Sequence, residues 1–218
     1  MPDRDPKTGP DATAAVDPRV RRSREAIAEA AIAQFIERGY RDASLDDIAR
    51  LAGVAKRTIY NIYTDKEALF RAILGEAVDT AERFSVEVAA TLGGTDDVET
   101  ELTAVARELS RAVLGGRIVP LRRLLISEAA RFPEFARDYY ERAPGRVMTT
   151  LALGLNRFDE RGLLRIDDAE MAAEQLAFLV LGASLDRALF EVDGPPTEAV
   201  EARAVAGVRV FLRAYAAT

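Results

Sequence analysis

The amino-acid sequence predicts an all-α fold, and three observations support this prediction. Apolar side chains recur at helical spacing through almost the whole chain. No stretch alternates between apolar and polar residues, and no Asn-Gly pair marks a β-hairpin. Residues typical of helix ends separate the apolar segments, as Ser44 and Gly53 do around one short segment. We therefore expect helices only, three of them in an N-terminal unit and the rest in a C-terminal one.

The N-terminal part of the chain divides into a tail and the beginning of this first unit. Residues 1–18 are rich in Asp, Pro, Thr, Ala and Gly and hold almost no bulky apolar side chains, so we predict a disordered tail. A helix from Arg19 to Arg38 follows, and Gly39 ends it. Ser44 then predicts the N-cap of a short helix from Leu45 to Ala52.

A second short helix, from Val54 to Ile62, completes the first unit. Thr64 and Glu67 have the spacing of a capping box, with Thr64 as the N-cap, and predict the start of a long helix. We place the domain boundary here, with residues 19–66 in the first domain and residues 67–218 in the second.

The second domain consists of further helical segments. A proline removes a backbone hydrogen bond, so we expect one of these helices to bend or divide at Pro144. The other predicted segments run from about Asp96 to Leu114, from Leu121 to Phe132, from Met171 to Phe190 and from Val200 to Tyr215.

The composition argues against several classes of function. The chain has no Cys and no His, which removes thiolate chemistry, the usual base near neutral pH and the commonest transition-metal ligand. No phosphate-binding loop or nucleophile motif is present. The longest apolar run, Leu176 to Leu185, is too short to cross a bilayer, and the N-terminus lacks the apolar core of a signal peptide. We therefore predict a cytoplasmic protein that is not an enzyme, needs no cofactor and does not associate with a membrane.

Charge is unevenly distributed along the chain. The net charge is −6, yet residues 19–75 carry 11 basic against 8 acidic side chains. Residues 76–218 carry 17 basic against 24 acidic side chains. This asymmetry fits a nucleic-acid-binding domain joined to a domain that does not contact nucleic acid.

The spacing of five residues predicts a helix-turn-helix. This motif needs a small residue where its two helices meet, a turn residue free to adopt positive φ, and apolar anchors beneath the second helix. Ala49 supplies the small residue and Gly53 follows four residues later. The anchors are Ile48, Ile59 and Ile62.

The same spacing leaves a polar face on the second helix of the motif. That face is cationic and rich in hydrogen-bonding groups, and no acidic residue occurs from Gly53 to Tyr63. Such a face suits phosphates and base edges in a DNA groove. Its members are Ala55, Lys56, Arg57, Thr58, Tyr60 and Asn61.

These residues carry a resemblance to a known family. The stretch SLDDIARLAGVAKRTIYNIYTDKEALFRAIL, within Arg41 to Leu74, resembles the DNA-binding domain of TetR-family regulators. Two features depart from the common pattern, namely Ala55 in place of Ser and the Asn61-Ile62-Tyr63 sequence, so the family does not specify the operator sequence. By position, the resemblance implies phosphate contacts from Ser44, Tyr60 and Lys66, and base or nearby phosphate contacts from Lys56, Arg57, Thr58 and Asn61.

The C-terminal half is similar to the ligand-binding domain of one TetR subgroup, the AefR-like regulators. The similarity lies in LLISEAARFPEFARDYYERAPGR and in RGLLRIDDAEMAAEQLAFLVLG. It implies an effector cavity, for which we predict six residues, although most of them also suit an ordinary core. Glu128 has two open interpretations, an internal ion pair with an arginine or a role in the pocket. The six are Phe84, Glu128, Tyr139, Tyr140, Met148 and Phe178.

The last two helices are too apolar for one protomer to cover. An all-round apolar helix must be buried on every side, so we predict a two-fold four-helix interface between two copies of the chain. Gly182 and Ala183 would let the helices approach closely. The predicted interface residues are Leu179, Gly182, Ala183, Val208, Phe211 and Leu212.

Together, these observations predict a homodimeric transcriptional regulator. We expect a sequence-specific repressor of double-stranded DNA that a small-molecule effector releases from a palindromic operator. Two alternatives stay open. One is an enzyme, which the composition disfavours, and the other is a helical protein-interaction module that no longer binds DNA.

Overall fold

The computed structural model describes residues 18–191 and 196–217, which form ten α-helices and one π-helical turn. The all-α prediction is confirmed. The predicted tail lies outside the described residues, apart from Pro18, which begins the first helix. The helices are α1 (Pro18–Asp42), α2 (Leu45–Leu51), α3 (Lys56–Ile62), α4 (Lys66–Thr91), α5 (Val98–Leu114), α6 (Ile118–Glu128), α7 (Pro133–Tyr140), α8 (Arg146–Glu160), α9 (Ala169–Phe190) and α10 (Thr197–Tyr215).

The end of α1 contains a break that the sequence predicted. Gly39 has φ 75° and ψ 162°, so the regular helix stops there and a separate short turn leads to Asp42. This φ lies in the region that favours glycine, which is why a glycine ends the helix. The break lets the chain reach Ser44, whose hydroxyl accepts a hydrogen bond from the Asp47 N–H at 3.1 Å and caps α2.

The predicted capping box at the start of α4 is wrong by one residue. Asp65, not Thr64, is the N-cap, and its carboxylate accepts from the Ala68 N–H at 2.7 Å. Both residue types cap helices well, so their order along the sequence could not settle which one does. The helix predicted to start at Val54 begins at Lys56, as α3. The Val54 N–H donates to the Ala49 carbonyl of α2, so Val54 belongs to the turn.

Pro144 lies in the π-helical turn Glu141–Gly145, which joins α7 to α8. A proline within an α-helix lacks one N–H and collides with the preceding turn. The wider π turn accommodates the proline without separating the helices, so the predicted bend takes this form. The turn brings the two helices to a common wall of the second domain.

The buried apolar residues form two clusters. The first holds the helix-turn-helix together and extends into α6 and α7, through residues such as Leu124 and Phe135. The second lies among the end of α4, α5, α8, α9 and α10. Ala81 on α4 packs against both clusters, so α4 is a structural link between them. Within the described ranges, no helix is long and apolar enough to cross a membrane.

Candidate DNA-binding surface and ligand cavity

The helix-turn-helix has the geometry that its spacing predicted. Ile48 and Ile59 are fully buried, and Ala49 is buried where α2 meets α3. Gly53 has φ 65° in the turn. The Val54 N–H donates to the Ala49 carbonyl at 3.0 Å, which closes the turn tightly. A larger residue than alanine at the crossing would push the two helices apart.

The outward face of α3 carries the predicted DNA-contacting side chains. Lys56, Arg57 and Asn61 are exposed, Tyr60 is 47% exposed and Thr58 is half-buried. The structure therefore leaves all five accessible to a partner, and their contacts with DNA remain a prediction.

Lys56 is held by an acidic residue of α2. Its ammonium lies 2.7 Å from the Asp46 carboxylate and 5.8 Å from the centre of the Tyr60 ring. The hydrogen bond to Asp46 raises the pKa of Lys56, so this side chain stays charged. A phosphate near Lys56 would have to compete with Asp46 for the ammonium.

Ser44 and Asp47 form the centre of a polar network at the start of α2. The Ser44 hydroxyl donates to the Asp47 carboxylate at 2.9 Å, and Arg38 and Arg50 pair with the same carboxylate. The Ser44 hydrogen bond, followed by that from Arg50, lowers the pKa of Asp47. The capping role of Ser44 is confirmed. Its proposed phosphate contact would require this hydroxyl to turn away from Asp47.

In the structure the Lys66 ammonium binds backbone carbonyls near the end of α1, and its expected contact with the DNA backbone stays a prediction. Its ammonium donates to the carbonyls of Arg41 at 2.9 Å and Ala43 at 2.8 Å, and lies 4.8 Å from the centre of the Tyr40 ring. Burial, with the nearby charge of Arg131, lowers the pKa of Lys66. Two of its three N–H donors are thus committed to clamping the start of α4 onto the end of α1.

In the structure Glu128 bonds to the backbone of the first domain. Its carboxylate accepts a hydrogen bond from the Tyr40 N–H at 3.2 Å. Among the described residues it forms no ion pair, and it does not line the cavity. The reason lies in the break at Gly39, which removes the helical partner of the following N–H and leaves a donor for Glu128 to satisfy.

A group of aromatic side chains, which we call the hinge cluster, joins the end of α1 and the start of α4 to α7 and the loop before it. The ring centres of Tyr40 and Phe132 are 4.9 Å apart, and those of Phe132 and Phe135 are 5.3 Å apart in a stacked pair. Sequence reasoning missed this cluster. The signal was a pair of aromatic residues on either side of Gly39 and another on either side of Pro133. The hinge cluster consists of Phe35, Tyr40, Phe70, Phe132 and Phe135.

The second domain contains a cavity of about 510 Å³ among α4 to α9. Of the six predicted ligand residues, five line it and Glu128 does not. Phe84 and Tyr139 are buried in its wall, whereas Tyr140 is 62% exposed and Phe178 is 73% exposed. The two exposed rings therefore stand at the opening. The five are Phe84, Tyr139, Tyr140, Met148 and Phe178.

Two of the predicted interface residues belong to the core of the protomer. Val208 is fully buried and Phe211 is 1% exposed, so neither can contact another subunit. Within the protomer, α9 and α10 approach closely at Gly207, where a Cβ would lie 2.7 Å from the Leu179 carbonyl oxygen. A Cβ at Gly182 would meet nothing within 4 Å.

The remaining predicted interface residues are accessible. Leu179, Gly182 and Leu212 are half-buried and Ala183 is exposed. Apolar side chains beside them are also exposed, among them Val210 at 49%. The outer face of α9 and α10 is therefore apolar in the single protomer, and the prediction of a dimer interface there is retained for these four positions.

The fold and these two sites define the class of protein. It is a helix-turn-helix protein with an exposed cationic recognition helix and a second helical domain built around a cavity. The family profile described as bacterial regulatory proteins, tetR family, matches residues 27–73. The profile described as AefR-like transcriptional repressor, C-terminal domain, matches residues 100–217, which is more than half of the chain. The chain belongs to the TetR family of DNA-binding transcriptional regulators and has an AefR-like C-terminal domain.

Similar proteins support this assignment. A TetR-family regulator from Mesorhizobium loti has a similar structure, with a TM-score of 0.74 and 31% identity over 92% of this chain and all of that one. The flavonoid-responsive regulator FrrA has a TM-score of 0.61 and 29% identity over 90% of this chain and 98% of that one. The repressor BepR of Brucella suis is 39% identical over 67 residues, which are 31% of this chain. The matched segments span about a third or less of the curated relatives.

Proposed function

We propose that this chain is a homodimeric repressor that acts in the cytoplasm and leaves a palindromic operator when a small molecule occupies the cavity. The observation that carries this proposal is the exposed face of α3, which presents cationic and hydrogen-bonding side chains on a tightly closed turn. The name of BepR supports repression, and that of FrrA supports a response to a ligand.

In this proposal, α3 enters the major groove. Arg57 and Asn61 are suited to base edges, while Lys56 and Tyr60 are suited to phosphates. A two-fold dimer through α9 and α10 would place the two copies of α3 in successive major grooves, about 34–36 Å apart. The operator would then be a palindrome with half-sites one helical turn apart.

A physical connection links the cavity to the DNA-binding domain. Phe135 and Tyr139 are one turn apart on α7, and the first belongs to the hinge cluster whereas the second lines the cavity. On α6, Arg122 lines the cavity and Glu128 bonds to the Tyr40 N–H. A ligand that binds more tightly to a form with another position of these helices would raise the population of that form, to an extent set by the difference in affinity. The spacing of the two DNA-binding domains would change with it.

The two alternatives predict different behaviour. An interaction module that had lost DNA binding would have no need for a cationic α3, and no acidic residue interrupts the sequence from Gly53 to Tyr63. The relatives are transcriptional regulators, and we propose no catalytic activity for the chain.

The test is selection of bound duplexes from a random DNA pool, followed by measurement of affinity at several salt concentrations. The full chain should enrich a palindrome and bind it more weakly as salt rises. The double variant Arg57→Ala plus Tyr60→Ala should lose this enrichment while keeping its circular dichroism spectrum. Arg107→Ala, an exposed change on α5, should behave like the unchanged chain. Absence of any enriched sequence at low salt would refute the proposal.

A further inference from the structure

An arginine side chain lines the wall of the cavity. Arg122 on α6 is half-buried and lines the cavity, yet among the described residues it makes no hydrogen bond and no ion pair. Its neighbour Arg123 differs, because it donates to the carbonyls of Ala188 and Glu191 and so caps the end of α9. A guanidinium offers five N–H donors, and removing them from water without a partner is unfavourable.

The surroundings of Arg122 are mainly apolar. The wall includes alanine, valine, leucine and isoleucine side chains from five helices together with Phe84 and Met148. A cavity of about 510 Å³ with this lining suits a small molecule whose body is mostly apolar. The single guanidinium would then fix one end of the ligand and define its orientation.

Tyr139 lines the same cavity as Arg122. Burial raises the pKa of the Tyr139 hydroxyl, and the charge of Arg122 acts in the opposite direction. The hydroxyl therefore stays protonated and can donate a hydrogen bond. No hydrogen bond from it occurs within the described residues. The cavity thus contains two groups, the Arg122 guanidinium and the Tyr139 hydroxyl, that donate no hydrogen bond within the described residues.

The cavity also has two carboxylates, which would favour a cation. Glu174 and Asp186 line it from α9, but both are exposed. Water screens exposed charges, so their attraction for a ligand is weak compared with that of a half-buried guanidinium. The charge that a bound ligand must neutralise is therefore the positive one on Arg122.

We propose that the ligand of this cavity is an amphiphilic organic acid whose apolar body fills the cavity and whose carboxylate pairs with Arg122. The planar guanidinium donates two parallel N–H bonds to the carboxylate oxygens. The Tyr139 hydroxyl donates a further hydrogen bond to the same group. This inference rests on the proposed function in one respect, that the cavity is the effector site, and it adds the chemical class of the effector.

The experiment is isothermal titration calorimetry of the full chain, without DNA, against two sets of matched probes. One set is decanoate, decanol and decylamine, and the other is naphthoate, naphthalenemethanol and naphthylmethylamine. In at least one set the acid should bind more tightly than the alcohol and the amine. Arg122→Gln should weaken binding of that acid by about tenfold or more, which is the strength of a charge-assisted hydrogen bond. It should leave binding of the matched alcohol unchanged.

Controls separate this effect from general ones. Arg107→Gln removes the same charge from an exposed site outside the cavity and should not change acid binding. Arg122→Lys should give an intermediate affinity because it keeps the charge but loses the two-pronged geometry. Unchanged binding of the alcohol shows that the Arg122→Gln cavity is intact.

Three results would overturn the inference. These are tighter binding of the amine in both sets, acid binding that does not depend on Arg122, and no binding of any probe. DNA binding is measured separately by the duplex selection. A chain that enriches a palindrome but shows one of these results retains its proposed function and loses only the assigned ligand class.

Discussion

Replacement of Lys66 by methionine distinguishes a structural role from a DNA contact. Methionine keeps the apolar length of the side chain and removes the ammonium that bonds to the carbonyls of Arg41 and Ala43. Each charge-assisted bond contributes about 1.5 kcal/mol, and the contact with the Tyr40 ring adds about 0.5 kcal/mol. The cost of burying the charge offsets part of this, so we expect a net loss of about 2 kcal/mol and a melting temperature lower by about 4–8 °C.

The assay combines thermal unfolding with the salt dependence of operator binding. If Lys66 contacted a phosphate, its loss would reduce the slope of log affinity against log salt by about one per contact. We expect the slope to be unchanged in Lys66→Met because the ammonium is held within the protein. Arg57→Met is the matched control, and we expect a smaller slope with little change in melting temperature. A smaller slope in Lys66→Met, with normal stability, would refute the reasoning.

Two further predictions concern stability. Gly207→Ala places a Cβ against the backbone of α9 and should lower the free energy of unfolding by about 2 kcal/mol in urea titration. Gly75→Ala, within α4, places its Cβ in open space and should not lower it, and equal losses would contradict this packing. Hydrogen bonds from Ser44 and Arg50 lower the pKa of Asp47 from its ordinary 3.8, so its stabilising contribution is present above about pH 4 and is lost as acid lowers the pH further. Melting temperatures recorded from pH 6 downwards should therefore fall less for Asp47→Asn than for the unchanged chain, and parallel curves would exclude this origin.

The helix-turn-helix could be predicted from sequence because its requirements are local. Ala49, Gly53 and Ile59 lie within eleven residues, and each satisfies a steric condition that few other residue types meet. The structure confirms all three, with a positive φ at Gly53 and both other side chains buried. The choice between Thr64 and Asp65 as a cap was not predictable, since both types suit that position and the backbone decides.

Features that depend on distant parts of the chain were not predictable in the same way. Glu128 and its partner Tyr40 are separated by 88 residues. The sequence around Glu128 gives no indication that the Tyr40 N–H lacks a helical partner and is available to bond with it. Val208 and Phe211 lie on an apolar stripe of α10. Such a stripe predicts burial, but it does not distinguish a covering helix of the same protomer from one of a second copy. In the structure α5 and α9 of the same protomer cover it, which leaves the opposite face for a partner.

The nature of the hinge cluster indicates how the two domains are coupled. Its contacts between Tyr40 and Phe132 and between Phe70 and Phe135 are aromatic packing, which has weak directional preference. The hydrogen bond from the Tyr40 N–H to Glu128 is directional and fixes one arrangement of α6 against the end of α1. We infer that the aromatic rings maintain burial while the domains shift, and that the Glu128 bond determines which arrangement is favoured without a ligand. Glu128→Ala should therefore change the ligand concentration needed for release more than it changes affinity for the operator.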